Sequence, residues 1–101
     1  MDKEQAINIV SLYAREVTKE FQPERVVLFG SHATGAAGED SDIDVAVVFN
    51  EFTGDAWAVS ARLCGLTRRV STLIEPILVD RAHDRSGFVE EILRTGEVIY
   101  P

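Results

Sequence analysis

The chain has 101 residues, 46% hydrophobic and 27% charged, with 3 Pro and 7 Gly, which fits one globular domain over residues 1–101 and excludes disordered or collagen-like classes. Its 17 acidic and 10 basic residues leave a formal charge of −7, which opposes the phosphate neutralisation that non-specific nucleic-acid binding needs. One cysteine excludes an internal disulfide, and with no signal-peptide order or apolar run of ~18 residues the chain is expected in the reducing cytoplasm, away from membranes.

From Asp2 to about Glu20, Ala6, Ile9, Val10, Tyr13 and Val17 recur at spacings of three and four, which predicts an amphipathic helix. Pro23 ends it, because proline disfavours helix at the preceding residue. Arg25–Phe29 is β-branched and aromatic and reads as a buried strand. Gly30–Ser41, rich in Gly, Ala and Ser, reads as a loop with at most one helical turn. Asp42–Phe49 is a second strand with apolar residues on both faces, hence central in its sheet. Asn50–Gly54 is a turn, and Asp55 caps a helix to about Val70. Leu73–Val79 is a third strand, and Pro76 within it argues for an edge position or a locally unpaired stretch. Ser86 caps a last helix to Arg94 with Phe88, Val89, Ile92 and Leu93 inward and Gly96 as its C′ residue. Glu97–Tyr100 forms a short strand or packed tail. The order α-β-β-α-β-α implies a small α/β (α+β) fold of three or four strands, with some parallel pairing and with helices on one side or flanking.

The chemistry lies at the end of the first strand, in the loop after it and at the opening of the second. Gly30 lets the backbone turn tightly after a buried strand, and Ser31 adds a hydroxyl next to N–H groups that suit a phosphate. Asp42 and Asp44 are two apart, so both carboxylates leave the same face of a strand. Such a pair repels itself unless a cation intervenes, and Mg²⁺ or Mn²⁺ is the natural neutraliser. A phosphate cradle beside paired carboxylates is what metal-assisted phosphoryl or nucleotidyl transfer requires.

Glu75 is the third acid. In an apolar strand it either faces solvent at an edge or points to the same site as Asp42 and Asp44, as metal ligand or as base, and the second reading is favoured. Asp80 is its rival but sits in a surface turn. His32 contacts a phosphate or stands exposed at a helix start. Ser41 braces the turn before Asp42, Arg68 and Arg69 complement a helix C-terminus, Trp57 and Phe52 belong to core or interface, and Cys64 packs inside a buried helix. Gly30 and Gly35 have P-loop spacing, but Ala36-Ala37 stands where Lys-Ser/Thr is needed.

Phe29-Gly30-Ser31-x-x-x-Gly35, followed by Ser41-Asp42-Ile43-Asp44-Val45 and Ile74-Glu75-Pro76, resembles the minimal nucleotidyltransferase domain of the DNA polymerase β-like superfamily. The resemblance implies Mg-dependent transfer of a nucleoside monophosphate, AMP from ATP, to a hydroxyl. It places the triphosphate on Gly30 and Ser31, with Gly35 and Ser41 in the nucleotide-binding loop, and the metal on Asp42, Asp44 and Glu75, with Glu75 also activating the acceptor. Many relatives carry Asp at the third position and Arg near positions 32 or 34, where this chain has Glu75, His32 and Thr34. Small stand-alone members resemble the antitoxin half of HEPN/minimal-nucleotidyltransferase pairs, which implies a helical toxin partner, adenylylated on a tyrosine, or a self-dimer. Two other functions use the same residues: a non-catalytic module that binds nucleotide or neutralises a toxin by occlusion, and a metal-dependent phosphohydrolase.

Overall fold

The computed structural model describes residues 1–38 and 40–101. Helix α1 (Lys3–Thr18) starts at a capping box: the Gln5 N–H donates to the Asp2 carboxylate at 2.8 Å, and the Asp2 N–H donates to Gln5 Oε1 at 2.9 Å. It buries Ala6, Val10, Tyr13, Ala14 and Val17, the expected stripe. Strand β1 (Arg25–Phe29) leads into one helical turn, α2 (Ser31–Thr34), and then into β2 (Ile43–Phe49). Helix α3 (Ala56–Leu66) is capped by Asp55, which accepts from the Ala58 N–H at 3.1 Å. It is shorter than expected, because Thr67–Arg69 tightens into a 3-10 turn. Strand β3 (Ile74–Asp80), helix α4 (Phe88–Thr95) and strand β4 (Glu97–Tyr100) complete the chain.

The sheet order is β3-β2-β1-β4. Strand β1 runs antiparallel to β2 and to β4, whereas β2 and β3 are parallel through the α3 crossover. The sheet is therefore mixed, and β2 is central as its two apolar faces required. Val26, Leu28, Ile43, Val45, Val47 and Ile74 face α1 and α3. Val27, Ala46, Val48 and Val79 face Val89 and Ile92 of α4. Each fully buried side chain of this size contributes roughly 1.5–3 kcal/mol. The Tyr13 hydroxyl, whose pKa burial pushes upward, donates to the Leu63 carbonyl at 2.7 Å and ties α1 to α3.

Strand β3 is the sheet edge, and Pro76 fits it for a geometric reason. The Ile43 N–H donates to the Leu73 carbonyl at 2.8 Å. In a parallel ladder this turns the backbone groups of 73, 75 and 77 toward β2 and those of 74, 76 and 78 outward. The missing Pro76 N–H thus costs no ladder bond.

Several local readings are corrected. Gly87, with φ 79°, precedes α4, and the cap comes from upstream: Asp84 accepts from the Val89 N–H at 2.9 Å and Ser86 Oγ from the Phe88 N–H at 3.2 Å. Gly96 is extended (φ −92°, ψ −177°) and is no left-handed C′ residue. It is needed for space: a Cβ there would lie 2.5 Å from the Ile92 carbonyl oxygen and 2.6 Å from that of Leu28. Gly96→Ala is therefore expected to destabilise the fold by about 2–3 kcal/mol, read from the midpoint of urea unfolding. Trp57 is 89% exposed and so is not core. Cys64 is exposed as well, because among the described residues α3 buries only Leu63 and Leu66 and no strand lies beyond β3 to cover its outer side.

Candidate active site

The site forms at one end of the sheet, where β1 ends and β2 and β3 begin. In the β1–β2 register Phe29 pairs with Asp44, so the chain leaving β1 at Gly30 turns directly over the Asp44 side chain. A Cβ on Gly30 would fall inside the van der Waals shell of Asp44 Oδ2 and 3.2 Å from its Cγ. Gly30 also holds φ 75° and ψ −153°, a conformation that a Cβ makes costly. The carboxylate thus occupies the space that a side chain at position 30 would need, and the Gly-Ser turn and the acidic strand are one structure.

Helix α2 opens with Ser31, whose own N–H and that of His32 belong to the first turn and have no intrahelical acceptor. These amides and the Ser31 hydroxyl are the phosphate-binding groups on offer. Gly35 closes the turn with φ 82°, its N–H donating to the Ser31 carbonyl. Among the described residues a Cβ there would meet nothing within 4 Å, so within the fold the glycine serves the turn's conformation.

Ser41 lies in the loop that returns to β2. Its Oγ accepts from the Gly38 N–H at 2.8 Å, which fixes the approach to Asp42. His32 is not exposed at the helix start: it is 2% exposed, with Nε2 3.0 Å from the Ser41 carbonyl. A carbonyl only accepts, so Nε2 carries the proton. His32 therefore pins the loop after β1 to the residue before Asp42. The sequence carried no signal for this contact, because it spans a loop whose path is set by packing.

In the β2–β3 register Asp44 lies beside Glu75. Neighbouring strands are ~4.8 Å apart, and the two residues share the sheet face that α4 covers further along. Asp42, two residues before Asp44, projects the same way. Glu75 thus combines both readings of it: it is exposed on an edge strand, and it borders the Asp42/Asp44 pair. Its carboxyl is held above the usual range, chiefly by the Asp42 charge, then by partial desolvation and Asp44. Desolvation first and Asp42 second raise Asp44, and His32 opposes them. Among the described residues none of the three acids forms an ion pair. The rival acid, Asp80, sits at the far end of β3, where its Oδ2 lies 2.8 Å from Nδ1 of His83. Arg69 pairs with Glu16 on α1 at 3.2 Å and takes no part in the site.

An unpaired cluster of oxygen donors fits a hard divalent cation. Among the described residues no three His, Cys, Asp or Glu side chains converge tightly enough to enclose a metal unaided. Mg²⁺ does not require that, because it is usually held by one or two carboxylates with substrate phosphates and water completing its shell. Asp42 and Asp44 supply that number beside the Gly30-Ser31 turn.

A small mixed sheet that brings a Gly-Ser turn against carboxylates on two adjoining strands is the architecture of a nucleotidyltransferase. The chain belongs to the Polymerase beta, Nucleotidyltransferase family, whose model matches residues 11–101. It is similar to the protein adenylyltransferase MntA of Thermococcus cleftensis, 28% identical over 99 residues, with 96% of this chain and 93% of that protein covered. Two solved structures share the fold. A Sulfolobus solfataricus protein assigned to the nucleotidyltransferases superposes with TM-score 0.67 at 20% identity, covering 95% of this chain and 80% of that one. A toxin–antitoxin crystal structure with AMP-PNP gives TM-score 0.60 at 20% identity, covering 89% and 72%. Among the described residues no helix is long and apolar enough to cross a membrane.

Proposed function

We propose that this protein is a Mg²⁺- or Mn²⁺-dependent adenylyltransferase of the cytoplasm that moves AMP from ATP to a hydroxyl on a partner protein, as the antitoxin-type member of a toxin–antitoxin pair. The observation that carries this reading is the contact of Asp44 with Gly30, which makes the phosphate-binding turn and the carboxylates parts of one site. The likeness to an adenylyltransferase supports the choice of AMP, and the likeness to a toxin–antitoxin structure supports the choice of partner.

In this mechanism the Ser31 hydroxyl and the first amides of α2 hold the triphosphate. Asp42 and Asp44 would hold the cation, with Glu75 at its margin, and the cation would supply charge neutralisation at the phosphates. The acceptor oxygen attacks the α-phosphorus, the bond to the bridging oxygen of pyrophosphate breaks, and the hydroxyl proton passes to Glu75.

Calorimetry tests the site directly. The wild type is expected to bind ATP with Mg²⁺ and at least about tenfold more weakly without it, and Asp42→Asn/Asp44→Asn should lose the metal-dependent part. Metal-independent binding that persists in this double variant would sink the proposal.

A further inference from the structure

Charged residues make up 27% of the chain, yet α3 contains only Arg62, and Glu20 of α1 takes that guanidinium through two hydrogen bonds of 2.7 Å. The rest of the outer side of α3 is uncharged, and Trp57 stands 89% exposed on it. A surface helix ordinarily turns charge to water, so an exposed indole on an uncharged face marks a contact. We infer that α3 docks on α3 of a second copy of this chain. The two helices run antiparallel about a two-fold axis at Ala61, and the Trp57 indole of each copy sits in a groove of the other.

Shape is the first reason for a second copy. Trp57, Ala61 and Cys64 are exposed at i, i+4 and i+7, so they form one stripe along the helix. Beside Cys64, the C-terminal end of α3 and the edge strand β3 enclose a groove of about 330 Å³ with Ile74, Pro76 and Ile77 among its walls. Projection and groove thus belong to one helix face. Trp57 comes four residues before Ala61, and the groove, at Cys64 and Thr67, follows it by a similar span. At about 1.5 Å per residue, each lies roughly 6 Å from Ala61 along the axis. A copy turned end over end about Ala61 therefore lays each Trp57 on the other's groove, and both grooves fill at once. The small Ala61 side chain lets the two helices approach at the axis.

Charge is the second reason. Helix α3 starts from the Asp55 carboxylate and runs into Arg68, and among the described residues neither side chain forms an ion pair. Antiparallel docking brings Arg68 of each copy to the Asp55 end of the other and sets the two helix dipoles head to tail. Parallel docking would put like charge against like.

One helix pair with two buried indoles lies at the low end of specific interfaces, so the dimer forms reversibly. Ile43 and Val45 face α1 and α3, so Asp42 and Asp44 project from the opposite face of the sheet. The pairing therefore stands whether or not the chain transfers nucleotides.

Trp57 is the one tryptophan of the sequence, so its emission reports the contact. In sedimentation equilibrium up to about 200 μM, the protein is expected to pass from monomer to dimer with a Kd of about 10 μM. Its emission should shift to the blue over the same concentrations. Trp57→Ala should weaken the dimer at least about tenfold and leave the circular dichroism unchanged, because the side chain is exposed in the monomer. Ala61→Glu and Ala61→Lys each set two like charges at the axis, so each variant alone should be monomeric and their equimolar mixture dimeric. A wild type that stays monomeric at every concentration overturns the inference and leaves this face to a different protein. A dimer that survives Trp57→Ala, a dimer whose emission does not shift, or a mixture of the two Ala61 variants that stays monomeric overturns it equally.

Discussion

Asp44→Asn is expected to lower nucleotidyl transfer by roughly 10³-fold while leaving the metal-free protein more stable than the wild type. The loss follows from the role assigned to Asp44: charge neutralisation at a transferring phosphate is worth several kcal/mol, and each 1.36 kcal/mol is a factor of ten. The gain in stability follows from the same carboxylate. Its pKa in the folded chain is raised, first by desolvation and then by Asp42, so the folded state holds its proton more tightly than the unfolded chain does. A raised acid penalises the fold once it ionises. The penalty is absent below the unfolded pKa, grows as pH rises through the raised folded value, and is complete above it. The stability gap between Asp44→Asn and wild type should therefore be nil in acid and open toward neutral pH, reaching about 3 °C in Tm. Mg²⁺ should narrow the gap by stabilising the wild type alone. Thermal unfolding of both proteins across pH, with and without Mg²⁺, measures all of this. A variant that is uniformly less stable would show that Asp44 braces the fold and is not an uncompensated charge.

Gly30→Ala is expected to cost both stability and function. The left-handed φ of 75° makes any Cβ unfavourable by about 1–2 kcal/mol. That Cβ would also enter the space filled by the Asp44 carboxyl, which must swing away. Affinity for Mg·ATP should therefore drop by about two orders of magnitude, beyond what a strained turn explains. Gly35→Ala separates the two effects. It sits at φ 82° with nothing within 4 Å of its Cβ, so it should lose about 1 kcal/mol of stability and keep its affinity. Equal affinity losses in the two variants would refute the coupling of Gly30 to Asp44.

Much of this site is legible in the chain because its signals are local. Gly30-Ser31 follows a β-branched run, and Asp42-x-Asp44 opens another. Spacing by two fixes that both carboxylates share a face whatever the sheet does around them. Glu75 stayed ambiguous because its surroundings depend on a crossover: only the parallel β2–β3 register sets it beside Asp44, and only the strand order leaves it at an edge. His32 and Cys64 failed for the same reason. His32 is buried by a loop that folds back to Ser41, and Cys64 is exposed because among the described residues no element covers the outer side of α3. Neither condition is written in the residues nearby.

The sequence by itself determined the helical and strand segments, the centrality of β2 and the placing of Gly30-Ser31 and Asp42-x-Asp44 at strand ends, because periodicity and spacing act over a few residues. The tertiary structure alone decided that Gly30 makes room for Asp44, that Gly96 makes room for two carbonyls, and that Glu75 lies beside Asp44 at a sheet edge. Those are contacts between segments distant in the chain, and they exist only once the burial of two sheet faces has fixed which strands lie side by side and in what register.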